Sequence, residues 1–272
     1  PARRWPEILD AEHIATDGEK KDPNLKSKGP GWPTGDGEVV GYARAVDGWK
    51  GYIPIRHEGG GNLDERIVNK WLKKVFECPA DKIMHNATYD AGWLQAEGIE
   101  IKGRIIDTMI TGAIVDENRF SYSLNNLGRD WIDMRKDEKA LREAARDWGF
   151  DPKSEMWRLP PMDVGPYAEQ DALRTLKLWE RLKIEVEKQD LWAIWELETG
   201  LIPLMLKMKT NGVRVNTDQA EVVRKELKGR ISGLKKSIRD ETGVDLEPWA
   251  AASVQKVFDS LRLEYAKTEA GN

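Results

Sequence analysis

Asp17 and Glu19 stand two residues apart in HIATDGEKK, at the end of a short apolar run, and a second pair with the same spacing, Asp10 and Glu12, precedes them in ILDAEH. Side chains two apart in a strand project the same way, so either pair would set two carboxylates side by side. Such a pair repels itself unless something cationic sits between its members. Mg2+ or Mn2+ meets that need, because hard cations take oxygen ligands and Mg2+ typically binds one or two carboxylates plus a substrate phosphate. Asp-x-Glu is nevertheless common in an acidic chain, and spacing alone does not separate a chemical pair from a solvated one.

Two further constellations carry acids. In HNATYD, Asn86 falls at the end of a predicted strand and Asp90 in the first turn of the next helix, a place that also favours an acid electrostatically. In YAEQD, Tyr167 and Asp171 lie four apart and share a helix face, either as chemistry or as a polar rim to an apolar stripe. Other residues have ordinary readings. Asp107 in IIDTM suits an N-cap better than an outer support of a site, and His85 suits a packed strand better than a ligand. Trp71, Trp93 and Trp179 sit on faces that also carry apolar residues, which favours core packing over base stacking. Lys20, Lys21, Lys26 and Lys28 suit phosphate contacts and a solvated loop equally.

The elements that must position these residues follow from patterning. EHIATD, EVVGYARAV and GYIPIR, the last after a DGWKG turn, predict a three-stranded antiparallel meander, with a long Gly/Pro-rich loop between the first two strands. From Asn62 the period becomes helical: Asn62 with Glu65 forms a capping box, and Ile67, Trp71 and Val75 recur every four residues. KIMHN and GRIIDT predict strands. TYDAGWLQAE, SLNNLGRDWI and EKALREAARDWG predict helices, the first stopping at Gly98. A long helix follows PPMDVGP, with Pro166 in its first turn and Ala172, Leu176, Trp179, Leu182 and Val186 as one stripe. Strands first and helices interleaved afterwards indicate an α/β or α+β sandwich with a mixed sheet. Beyond residue 190 the segments are all helical, so the expected division is 1–190 and 191–272.

Composition narrows the classes. The chain has 272 residues, 33% of them charged, 12 Trp and a formal charge of −4. That charge argues against a general nucleic-acid sponge, whose binding rests on counterion release by Lys and Arg, but is compatible with carboxylates gathered around metal ions. No apolar run approaches the ~20 residues needed to span a bilayer, and the N-terminal PARRWPEILD lacks the apolar stretch of a secretory signal. A single cysteine, Cys78, makes no internal disulfide and fits a reducing interior; none of the 3 histidines, His13, His57 and His85, forms a nucleophile motif with it.

Taken together and in chain order, Asp17-Gly18-Glu19, Asn86 through Asp90 and Tyr167 through Asp171 resemble the signature of the 3′–5′ exonuclease superfamily that proofreads for DNA polymerases. A sister branch carries His five residues before the last Asp. That position is Pro166 here, so the chain resembles the tyrosine branch. The tract HIATDGEKKDPNLKSKGPGW is similar to family A polymerases of bacteriophages, in which Asp-x-Glu ends the first strand and is followed by Asp-Pro and a Gly-Pro-Gly-Trp loop. This likeness selects Asp17 and Glu19 and leaves Asp10 and Glu12 as solvated acids before the strand. It continues through YIPIRHEGGGNLD, IIDTMITGAIVDENRFSYSLNNL and KSEMWRLPPMDVGPYAEQDALRTLKLWE, while ELETGLIPLMLKMKTNGVRVN and VQKVFDSLRLEYAKTEAGN resemble the start of a polymerase thumb.

The resemblance implies a ribonuclease H-like mixed sheet flanked by helices, the DnaQ-like exonuclease fold, followed by a small all-helical segment. It implies two divalent cations, Mg2+ or Mn2+, held by Asp17, Glu19, Asp90 and Asp171, with Asp17 bridging and Asp90 acting directly or through water. Tyr167 and Glu19 would orient the attacking water, Asn86 would bind substrate, and nucleoside 5′-monophosphates would leave a DNA 3′ end. The implied partners are a single-stranded DNA 3′ end and the remainder of a family A polymerase, whose palm and fingers would lie beyond this chain, in the cytoplasm of a bacterial or phage-infected cell. Two departures stand out: Lys20 replaces a common Thr, and Gly18 replaces an apolar residue between the acids. They keep open a catalytically idle module that binds DNA ends or another protein. An RNA exonuclease of the same superfamily is the other alternative.

Overall fold

A computed structural model describes residues 6–266. Its sheet is built by β1 (His13–Lys21), β2 (Glu38–Val46) and β3 (Trp49–Pro54), then β4 (Asp81–Met84) and β5 (Ile105–Asp107), in the spatial order β3-β2-β1-β4-β5. β1–β2 and β2–β3 are antiparallel, as the meander predicts, whereas β1–β4 and β4–β5 are parallel and joined by helical crossovers. Asp10 and Glu12 fall before β1 and are exposed, in keeping with a solvated role.

Helices cover the sheet. They are α1 (Leu25–Lys28), α2 (Glu65–Glu77), α3 (Ala87–Ala96), α4 (Thr108–Val115), α5 (Leu124–Ile132), α6 (Lys139–Trp148) and α7 (Pro161–Lys188). α7 packs across β1, β2 and β3, and all five residues of its predicted stripe are buried. It starts earlier than expected: Pro161 is its first residue, so Pro166 lies inside the helix rather than in the first turn. The N-terminus of α2 also differs. Asp64 is its N-cap, accepting from Arg66 and Ile67, while the Asn62 amide bonds both ways with the His57 backbone at 2.8 Å. A nearby Asp placed to accept from two free backbone N–H groups takes the cap. The buried stripe is Val68, Leu72, Val75 and Phe76, and Ile67 faces outward.

The long loop after β1 is tied down by Trp32, which is buried against the bare backbone of Gly92 on α3. α8 (Trp192–Gly200) and α9 (Ile202–Asn211) belong to this first compact unit, which ends at Gly212. The reason is packing: Trp195 is fully buried, stacks on Trp179 at 5.3 Å between ring centroids, and donates from its indole to Thr111 at 2.9 Å. Ile202 and Leu206 join the core under α3. The second unit, from Val213, contains α10 (Thr217–Thr242) and α11 (Ala251–Ser260). The end of the thumb-like tract, from residue 267, lies outside the described residues. No described helix is long and apolar enough to cross a membrane.

One core feature runs against hydrophobic patterning. Arg44 on β2 is 0% exposed, its guanidinium nitrogens have no hydrogen-bond partner, and it lies over the rings of Phe76, Trp71 and Tyr42 at 4.3, 5.7 and 5.9 Å. Burial pulls its pKa down to about 9. The aromatic faces recover part of the desolvation cost but supply no acceptors. Arg44→Met, of similar volume, is therefore expected to stabilise the fold by about 1–3 kcal/mol, read as a higher melting temperature.

Candidate active site

Asp17 and Glu19 lie in the second half of β1, beside α7 and the start of α3. A register shift between Glu19 and Lys20 breaks the β1–β2 ladder there, the kind of bulge that re-aims side chains at a sheet rim. Asp90 is buried in the first turn of α3, where its Oδ1 accepts from the Gly18 backbone N–H at 3.0 Å and from the Lys20 ammonium. Asp107 sets that turn. Its carboxylate accepts from the backbone N–H of Asn86 at 3.0 Å, Ala87 at 2.7 Å and Met109 at 2.8 Å, capping α4 and clamping the start of α3 together. Asn86 itself takes a left-handed conformation, φ 62°, and is exposed with no side-chain capping bond.

From α7 come Tyr167, half-buried, and Asp171, buried. Asp171 is held by Arg174 at 3.1 Å and by Lys136 at 3.1 Å, and the Lys136 ammonium also bonds the Tyr167 hydroxyl and lies 4.4 Å from its ring centroid. Arg174 is 0% exposed and donates a second bond, 3.0 Å, to the Leu124 carbonyl. Gly128 on α5 leaves the room it needs, since a Cβ there would sit 2.7 Å from its Nη2.

The four acids converge electrostatically. Burial raises Asp17 well above the usual carboxylate range, the charges of Asp90, Glu19 and Asp171 add to it, and Lys20 opposes them. Burial likewise raises Glu19 to about 7, with Asp171 and Asp90 adding and Lys20 and Lys136 opposing. Tyr167 is pushed far up by burial and then by Glu19, Asp171 and Asp17, so it stays a neutral donor. Hard oxygen donors crowded until their own charges disfavour ionisation are a donor set that suits a divalent cation. Among the described residues, however, no three Asp, Glu, His or Cys side chains stand close enough to chelate one ion as they are, and ammonium groups fill the gaps between the carboxylates.

Asp17, Glu19, Asp90, Tyr167 and Asp171 are thus gathered at one place, with Asn86 on the exposed turn beside them. Patterning did not reveal Lys136, Arg174 or the Tyr52–His57 pair. Tyr52 reaches over Gly41, the β2 partner of Glu19, where a Cβ would collide with its hydroxyl. Its pKa is raised by burial and by the charges of Glu19 and Asp17. His57 is 3% exposed and donates from Nδ1 to the Leu159 carbonyl at 2.9 Å, so its Nε2 accepts from the Tyr52 hydroxyl at 2.6 Å. Arg174 had one legible signal, the three-residue spacing from Asp171 on a helix. Of the four lysines, Lys20 on β1 is 6% exposed at Asp90, Lys21 at the end of β1 lies 4.1 Å from the Trp157 ring centroid, and Lys26 and Lys28 on α1 are exposed.

Comparison with known proteins points one way. A family model for the 3′–5′ exonuclease of DNA polymerase A matches residues 48–187, a span that contains Asp90, Tyr167 and Asp171 and begins after Asp17 and Glu19. A DNA-directed DNA polymerase of Pseudomonas phage M6 is 33% identical over 271 residues, covering 96% of this chain and 40% of that protein. Among solved structures, the POL domain of Pol1 from M. smegmatis, in complex with DNA primer-template and dNTP, superposes with a TM-score of 0.64 at 16% identity, covering 99% of this chain and 41% of that one. Brucella melitensis NrnC with bound Mg2+ superposes at 0.55 and 16% identity, covering 76% of this chain and 89% of that one. The chain spans two fifths or less of the length of the phage and bacterial DNA polymerases it matches.

Proposed function

We propose, for a chain that belongs to the 3′–5′ exonuclease family of family A DNA polymerases, that it removes nucleoside 5′-monophosphates one at a time from DNA 3′ ends, as the proofreading part of such a polymerase. The observation that carries this reading is the meeting of Asp17, Glu19, Asp90 and Asp171, from β1, α3 and α7, in one partly buried cluster, where burial and the neighbouring acids raise the pKa of Asp17 and Glu19. Asp17, Glu19, Asp90 and Asp171 would hold the divalent cations, Mg2+ or Mn2+. When bound, these would neutralise the carboxylates and polarise the scissile phosphate.

The chain's own groups do the rest. Tyr167, neutral and tethered by Lys136, presents its hydroxyl beside Asp171. With Glu19 it orients a water for in-line attack on the last phosphodiester. Attack breaks the bond from phosphorus to the 3′ oxygen of the penultimate nucleotide, which leaves as a new 3′-OH. Asn86, exposed at the mouth of the site, contacts the terminal nucleotide. The substrate end is single-stranded, the partner is the remainder of a family A polymerase, and the compartment is the cytoplasm of a bacterial or infected cell. We place the functional boundary near residue 190, where the segment leading into the thumb begins, with α8 and α9 packed on the exonuclease core.

A 3′-labelled single strand tests this. Mg2+- or Mn2+-dependent release of labelled mononucleotide that stops with EDTA is expected, whereas binding without release would identify an idle end-binding module. Labelled RNA run in parallel decides between the nucleic acids. Tyr167→Phe should slow release by about 10- to 100-fold, less than loss of a metal-holding acid, because the carboxylates stay in place.

A further inference from the structure

Lys20 lies 6% exposed with its ammonium on Asp90, within the carboxylate cluster itself. Three local features make room for it. Gly18 has no side chain, and a Cβ there would stand 3.0 Å from Lys20 Cε, 3.1 Å from its Nζ and 3.3 Å from Asp90 Oδ1. The Gly18 backbone N–H bonds the same Asp90 oxygen at 3.0 Å. The bulge between Glu19 and Lys20 re-aims the lysine at the strand rim. Gly18 and Lys20 are thus one coupled arrangement: the bare glycine is the space that the ammonium fills.

We propose that Lys20 is a positioning residue whose ammonium stands in for one of the two divalent cations, at Asp90, so that the cluster takes one Mg2+ or Mn2+ rather than two. This rests on the exonuclease reading above and refines its cation count. The other ammonium, Lys136, is 22% exposed on the loop between α5 and α6, whereas Lys20 is 6% exposed. Charge agrees with a single ion. Lys20, Arg174 and Lys136 already face the four carboxylates, so one divalent cation completes their neutralisation, whereas a second would leave a larger surplus of positive charge with Lys20 still buried beside it. Lys20 then supplies fixed positive charge next to the scissile phosphate, held by Asp90 and needing no ion to do so.

The test is a Mn2+ titration of the full chain without DNA, with free Mn2+ followed by electron paramagnetic resonance. Wild type is expected to bind one Mn2+, Lys20→Thr two, and Lys20→Thr with Asp90→Asn one again. Circular dichroism confirms that each variant is folded. Two ions of similar affinity in wild type would overturn the proposal whether or not the variants fold, and leave the exonuclease reading standing. A folded Lys20→Thr that still binds one would overturn it too. Absence of Mn2+ binding in wild type would overturn both readings.

Discussion

Asp17→Asn is expected to lower mononucleotide release by about 10³-fold or more, on the order of 4 kcal/mol of transition-state stabilisation, while raising the melting temperature of the metal-free chain. The two effects share one cause. Asp17 is half-buried among Asp90, Glu19 and Asp171, so its charge is unfavourable in the fold, and removing it relieves the fold while taking away one of the carboxylates proposed to hold the cations. The stability effect depends on pH with a definite sign. Glu19 moves from an ordinary 4.5 to about 7 in the fold, and Asp17 also moves upward, so the native state holds protons that the unfolded chain has released. Stability therefore falls as pH rises from about 4.5 through 7. In EDTA, the gain in melting temperature from Asp17→Asn should be small at pH 5 and larger at pH 7.5, and Mg2+ should shrink it at pH 7.5. A gain that is the same at both pH values would mean that the carboxylates do not crowd one another.

How much of this was legible in the chain depends on whether a feature is set by local or by distant residues. Strand and helix existence is local, so the meander, the parallel strands and the α7 stripe follow from period and turn residues. The starts of α2 and α7 were misplaced because several candidate caps and prolines lie within a few residues, and tertiary contacts choose among them. Asn62 was taken instead by the His57 backbone. The division of the chain near 190 followed a change of composition. The packing break follows Trp195, Ile202 and Leu206, whose burial against Trp179 and α3 no local pattern displays. At the site, the acids stood out through their joint resemblance to the exonuclease signature, since no single spacing separates them from solvated acids. Their cationic partners did not: Lys136 arrives from a loop, and Lys20 reads as one member of a solvated run until the bulge and Gly18 turn it inward.

The largest effect on stability is expected from Arg174→Met, which should cost about 3–5 kcal/mol, because removing one partner of a buried ion pair leaves the other charge uncompensated. Arg174 is 0% exposed between α7 and α5, bonded to Asp171 at 3.1 Å and to the Leu124 carbonyl at 3.0 Å. Lys136 remains near Asp171 but is 22% exposed and shared with Glu138, so it replaces only part of the lost interaction. For a chain of this size a loss of that order lowers the melting temperature by roughly 2–4 °C per kcal/mol, read directly in a thermal melt. Arg174→Met combined with Asp171→Asn should recover much of the loss, since neither partner then buries a charge alone, and the double-mutant cycle isolates their coupling. Gly128→Ala approaches the same contact from the opposite side: its Cβ would press on the Arg174 guanidinium and on the Met134 carbonyl, 3.1 Å away. A strictly additive cycle would show that Asp171 is held in place by the backbone of α7 alone, and that Arg174 serves packing rather than the carboxylate.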